Sequence, residues 1–195
     1  DYDEEYAKVL ATYLGLNIDR LVAYGSRMGY WDSTREKISP AMTRQAMGMI
    51  FDYVENNPFS ISFSWNTNMK WILRVLEHCL EIKQVKNSPN VIVSNFSATK
   101  LPYSNNFFDA VITDPPYYDN IPYSYLSDFF YVWLKRSVGF LYPELFSTPL
   151  TPKTEEIVAY QQKDNVSGKD YFENLLSKSF LEINRVLKSD GISII

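Results

Sequence analysis

The stretch that most constrains this chain is Phe107-Phe108-Asp109-Ala110-Val111-Ile112-Thr113, an apolar run that stops at Asp114-Pro115-Pro116-Tyr117. Proline has no N–H and locks φ, so a ladder of backbone hydrogen bonds cannot continue through two of them. The pattern reads as a buried strand running into a rigid loop. In open α/β sheets, the loop at the carboxyl end of a strand is where ligands sit.

The groups of that loop suit chemistry at a weakly nucleophilic amine. The exocyclic amine of an adenine has its lone pair delocalised into the ring. A carboxylate at Asp114 can accept one of its N–H groups, and a carbonyl turned outward by the proline pair, that of Pro115, can accept the other. Two acceptors draw the nitrogen toward a tetrahedral shape and free the lone pair. Tyr117 offers a flat face on which a base can stack, a contact worth about 1–3 kcal/mol. Extruding a base from a duplex costs a few kcal/mol, so stacking of that size offsets much of it.

Asp114-Pro115-Pro116-Tyr117 after a hydrophobic strand resembles the catalytic motif of amino-methyltransferases that use S-adenosylmethionine, most often on N6 of adenine. A longer string carries the resemblance further: Asp114 to Asn120, Leu126-Ser127-Asp128-Phe129-Phe130-Tyr131-Val132-Trp133-Leu134-Lys135-Arg136, and Leu150-Thr151-Pro152-Lys153-Thr154-Glu155-Glu156-Ile157-Val158. These segments, with Arg44-Gln45-Ala46-Met47 and Asn57-Pro58-Phe59, are similar to the large adenine-specific DNA methylases that carry a zinc ribbon. The resemblance implies an α/β fold, here a partial class I methyltransferase (Rossmann-like) sheet with a helical N-terminal segment. It implies residues 1–88 as a helical insertion or substrate-recognition part and 89–195 as the catalytic portion. It further implies S-adenosyl-L-methionine as cofactor, DNA as partner, Asp114, Pro115, Pro116 and Tyr117 as catalytic residues, and Tyr118 and Asn120 as lining for the base. A small polar residue after the preceding strand often meets the cofactor's adenine in this fold. Ser97 and Ala98 match that position, although Asp is more usual where Ser97 stands, and the alternative is a plain turn.

The 195 residues suit one domain with a sizeable core. Net charge is -4, which provides no broad basic surface for a phosphate backbone. The single cysteine, Cys79, excludes a disulfide framework and a zinc ribbon within these residues, so no metal site is expected. There is no signal-peptide pattern and no apolar run of about 18 residues, which points to a cytoplasmic protein without a membrane partner.

Apolar spacing predicts a helix over 3–24, interrupted at Gly15, then a loop over 24–40 and a second helix from Pro40 to about Tyr53. Phe59 to Trp65 alternates apolar and serine residues, as a short edge strand or an extended loop would. A third helix follows, capped by Asn66, Thr67 or Asn68, with Trp71, Ile72, Val75, Leu76, Cys79 and Leu80 inward and His78 at the surface. Val91-Ile92-Val93 reads as a short buried strand. Leu126, Phe129, Phe130 and Trp133 form one helical face, and 153–168 reads as a polar lid whose candidates for phosphate contact are Lys135, Arg136, Lys153, Lys163 and Lys169. A final amphipathic helix starts at Asp170 with Glu173 as a capping pair, closes at Ser189-Asp190-Gly191, and leads into a strand at Ile192.

Class I enzymes hold the methionine part of the cofactor on a glycine-rich turn after the first strand. None of the seven glycines here falls in such a pattern. The expectation is therefore the middle and catalytic-loop portion of a longer enzyme, with an exposed sheet edge open to homodimerisation. Three other readings stand beside adenine methylation. One is methyl transfer to cytosine N4 or RNA, one a non-catalytic module that binds nucleic acid or protein, and one an α/β domain whose prolines merely cap a strand.

Overall fold

A computed structural model describes residues 3–40, 42, 50–83, 91–159 and 167–195, which fold into two compact units. The first is built from 1–90 and 123–151, the second from 91–122 and 152–195. Residues 123–151, grouped with the motif by the sequence reading, thus pack with the N-terminal helices.

In the first unit, α1 (Glu4–Gly25) begins at Asp3, whose side chain accepts from the Glu5 N–H. It runs through Gly15 without a break. A Cβ at Gly15 would stand 2.9 Å from Val138 Cγ1, so the glycine lets α1 approach α3 (Tyr123–Val138) closely. The loop expected over 24–40 is instead a hairpin, with β1 (Tyr30–Asp32) antiparallel to β2 (Lys37–Ser39). Its turn is held by Asp32 Oδ1, which accepts from the N–H groups of Thr34 and Arg35. The alternation needed to foresee a hairpin is only three residues long on each side.

The second helix predicted from Pro40 falls largely outside the described residues, and Ile50 to Tyr53, which are described, are not helical. Phe59 to Ser64 forms turns with no strand pairing. The next helix, α2 (Trp65–Lys83), is capped by Ser64 rather than by the three residues predicted. Thr67 N–H donates to Ser64 Oγ at 3.2 Å, and Ser64 N–H donates to Thr67 Oγ1 at 2.8 Å. This is a reciprocal capping box in which Thr67 replaces the usual Glu. The stripe expected to face inward on α2 is partly open: Trp71, Val75, Cys79 and Leu80 are exposed. Asn17 Nδ2 donates to the Trp65 carbonyl at 3.2 Å and ties α1 to the start of α2. A 3-10 turn (Gly139–Leu141) follows α3, and Tyr142 beyond it bonds Thr12 through its hydroxyl at 2.8 Å.

In the second unit, β3 (Phe108–Ile112) pairs in parallel with β4 (Leu187–Ile194), and α4 (Gly168–Val186) leads directly into β4. Parallel strands need a crossover, and α4 belongs to it. The start of α4 lies at Gly168 after Ser167, so Asp170 does not cap it but sits in the first turn, where its charge suits the helix dipole. The other end differs too. The helix closes at Val186, and Ser189-Asp190-Gly191 lies inside β4, in an irregular stretch between the pairs Phe108–Leu187 and Ala110–Ile192. A Cβ at Gly191 would stand 2.8 Å from Leu187 Cδ1 and 3.0 Å from the Asp109 carbonyl, so a side chain there would force Leu187 to move. Val91-Ile92-Val93 forms no strand and each residue is more than four-fifths exposed, because no described strand offers it a ladder. The architecture is α/β, and no described helix is long and apolar enough to cross a membrane.

Candidate active site

The strand that carries the motif ends where its sequence demands. Thr113 N–H donates to the Ile194 carbonyl at 3.0 Å as the last contact of the β3–β4 ladder, and Asp114 is the next residue. Pro115 and Pro116 supply no N–H, so the chain leaves the sheet there. It then turns on itself: Tyr118 N–H donates to the Pro116 carbonyl at 3.2 Å, and Asn120 N–H to the Tyr117 carbonyl at 2.9 Å.

Tyr117 folds back so that its hydroxyl donates to Asp114 Oδ2 at 3.2 Å. The bond orients the carboxylate and leaves its second oxygen as an acceptor. Asp114 is exposed, and 53% of Tyr117 is accessible, so the acid and part of the tyrosine can be reached from solvent. The two prolines are half-buried and anchor the loop.

Tyr118 has a different part. Its φ is +48°, a left-handed conformation that costs a non-glycine residue energy and persists only where surroundings enforce it. Here two contacts enforce it. The Tyr118 carbonyl accepts from Ala159 N–H at 3.0 Å, and its ring meets Phe172 of α4 edge-on, with centroids 5.2 Å apart. Ala159 follows Val158, which is 1% exposed, and the nearby Tyr171 hydroxyl donates to the Thr154 carbonyl. Two segments distant in sequence, 114–120 and 152–159, thus meet at one loop. Neither Ala159 nor Phe172 carries a local sequence signal for a site; Phe172 falls within the amphipathic helix predicted from Asp170.

The remaining predicted residues lie elsewhere. Ser97 and Ala98 are exposed in a short turn in which Ser97 Oγ accepts from Thr99 N–H at 3.3 Å and the Ser97 carbonyl accepts from Lys100 N–H at 3.1 Å. No hydrogen bond joins this turn to Asp114 to Asn120 among the described residues. The segment after it is clamped to α4. Arg185 donates to the carbonyls of Leu101 and Tyr103, and pairs with Glu182 through Nε and Nη2, while Glu182 Oε2 accepts from Leu101 N–H at 2.8 Å. These bonds, from Arg185 first and the Leu101 N–H second, hold the Glu182 carboxyl down at about 2. Asn120 is exposed beside the turn that Tyr117 closes.

In the first unit, Asp128 Oδ1 accepts from both Thr151 N–H at 2.9 Å and Thr151 Oγ1 at 2.6 Å, which joins two further segments of the resemblance. Of the lysines proposed for phosphate, Lys135 donates to the Thr148 carbonyl at 2.5 Å and Lys169 pairs with Glu173 at 3.7 Å. Lys163 lies outside the described residues.

The described residues of the second unit do not fit a complete S-adenosylmethionine site. No glycine borders the end of β3, and the glycine within β4 serves its bend. What the unit does assemble is an acceptor carboxylate, an aromatic face and a braced loop. No protein family, curated protein or solved structure matches this chain.

Proposed function

We propose that this chain carries the base-orienting loop of an amino-methyltransferase that transfers a methyl group from S-adenosyl-L-methionine to N6 of adenine in DNA, on a Rossmann-like sheet. The observation that carries the reading is the position of Asp114-Pro115-Pro116-Tyr117. It follows the last ladder contact of a parallel strand, with the Tyr117 hydroxyl on Asp114 Oδ2 and both groups open. In this role the free carboxylate oxygen of Asp114 accepts one amine N–H, the Pro115 carbonyl accepts the other, and Tyr117 stacks the base. Alignment supplies most of the rate, since no strong base is needed to hold an amine in line with a methyl group. Tyr118 and Asn120 border the base, Tyr118 as the brace of the loop.

Labelled-methyl incorporation into DNA and into RNA tests this with the chain and its Asp114→Ala and Tyr117→Ala variants. Loss of one oriented polar group at a reacting centre typically costs about 10²-fold or more. Incorporation into DNA is expected to fall by that much in Asp114→Ala, and wild-type rates in both variants would end the assignment. Preferential labelling of RNA, or of cytosine N4, would change the substrate and keep the chemistry.

One observation favours a second reading, a methyltransferase-like module that holds a base without transferring to it: no glycine-rich turn borders the described strands. Calorimetric titration of S-adenosylmethionine separates the two. Saturable binding supports the enzyme; its absence fits both the module and a catalytic-loop portion without its glycine turn, and methyl incorporation into DNA then separates them.

A further inference from the structure

The first unit contains a cavity of about 370 Å³, within the size range of small-molecule sites. Its walls include Phe129 and Trp133 of α3 and Leu21 and Gly25 of α1, with Ser26 and Asn56 as its polar groups. Phe129 and Trp133 are one helical turn apart and so share a face of α3, an arrangement that presents two ring systems to one ligand.

The polar groups have defined capacities. Asn56 Nδ2 donates to the Phe63 carbonyl at 3.0 Å, which orients the amide and leaves its oxygen as an acceptor. Ser26 Oγ accepts from Met28 N–H at 3.1 Å, which leaves the hydroxyl proton to donate. Among the described residues, no ionisable side chain lines the cavity. A phosphate, a carboxylate or a sulfonium finds no counter-charge among these walls to offset even partial loss of its hydration. The site therefore selects a ligand that is flat, uncharged, and carries both a donor and an acceptor on its edge.

We infer that this cavity binds a nucleobase, with an N–H of its edge donated to Asn56 Oδ1, a ring nitrogen or carbonyl accepting from Ser26 Oγ, and its face on Trp133 and Phe129. The site is separate from the Asp114 loop and uses different residues. The inference rests on the methylation reading only in expecting the base to belong to nucleic acid, not to a free nucleoside.

Gly25 supplies the test. It is the last residue of α1, and a Cβ built on it meets no atom within 4 Å. Gly25 lines the cavity and a side chain there starts in open space, so Gly25→Leu is expected to crowd the cavity mouth, and Trp133→Leu removes a stacking wall while staying apolar. Adenosine and a short oligodeoxyadenylate are titrated calorimetrically into the wild-type chain, into both variants and into Asp114→Ala, with helical circular dichroism as the check on folding. Saturable binding that weakens at least tenfold in a folded Gly25→Leu or Trp133→Leu chain, and is kept in Asp114→Ala, supports the site. Tighter binding of the oligonucleotide identifies nucleic acid as the source, and equal binding identifies free nucleoside.

Absence of saturable binding, or unchanged affinity in both cavity variants, overturns the proposal. So does competition by indole at equal affinity, which would make the cavity a simple apolar site. Binding lost in Asp114→Ala but kept in Gly25→Leu also overturns it, and leaves the methylation reading intact. Conversely, full methyl transfer by Asp114→Ala ends that reading without touching this one.

Discussion

Replacing Asp19 by Asn should stabilise the protein at alkaline pH and leave it unchanged in acid. Asp19 lies on α1 one turn after Gly15, hence on the face that approaches α3, and is only 9% exposed. Its Oδ1 has no hydrogen-bond partner among the described residues. Burial alone pushes its carboxyl from the ordinary 3.8 up to about 7. A raised acid pKa means that the folded chain holds a proton that the unfolded chain has already released. Stability is therefore full below pH 3.8, falls as pH rises through the interval, and levels off above pH 7.

Each factor of ten in proton affinity is worth about 1.4 kcal/mol, and the interval spans about three of them, so the loss is at most about 4 kcal/mol and is smaller to the extent that solvent screens the carboxylate. That is a large share of the 5–15 kcal/mol typical of a folded protein. Asn has the same shape and no charge. Urea denaturation of wild type and Asp19→Asn at steps from pH 4 to 8.5 should give curves that coincide at the acid end and separate by up to about 4 kcal/mol at the alkaline end. Parallel curves across that range would refute the argument, since they would mean that water or a cation reaches the carboxylate in the folded state.

Two further outcomes follow from the caps and clamps. Glu182 is held at about 2 by Arg185 and the Leu101 N–H, so its contribution is present above the ordinary value of 4.5 and is lost as pH falls from there toward 2. An NMR titration of the Glu182 carboxyl should show that low midpoint, and Arg185→Gln should return it toward 4.5 and speed hydrogen exchange at Leu101; an unmoved midpoint would remove Arg185 as the cause. Ser64→Ala breaks one half of the capping box and should cost about 1 kcal/mol in denaturation, with Ser64→Asp restoring most of it. An unchanged midpoint for Ser64→Ala would mean that α2 starts without its cap.

Long amphipathic helices were readable from the sequence because many residues vote for one period, as in α1 and α4. Their ends were not. Ser64 stands two residues before Asn66, among several polar residues that could each cap α2, and Ser189-Asp190-Gly191 carries turn chemistry that a bend inside a strand uses as well as a helix end does. Gly15 read as an interruption because propensity sees only a missing side chain; the Val138 methyl that needs the space is 123 positions away. Val91-Ile92-Val93 shows the reverse limit. Its composition is that of a strand, but a strand exists only with a neighbour. At the candidate site, Asp114 to Tyr117 was visible through the proline pair, whereas the brace on Tyr118 was not, since Ala159 and Phe172 have nothing locally distinctive about them.

The division of the chain has a consequence for its birth on the ribosome. Each unit is made of two separated stretches, 1–90 with 123–151 and 91–122 with 152–195. α1 can meet α2 early, but it cannot complete its packing against α3 until residue 138 has emerged, and β3 waits for a partner that starts at residue 187. Synthesis at about 5–20 residues per second makes each wait a matter of seconds, far longer than the collapse of a small chain. During that interval the apolar strand ending in Ile112 is unpaired, so a nascent chain of this protein is a natural client for chaperones. For the same reason no single cut in the sequence separates one unit cleanly from the other.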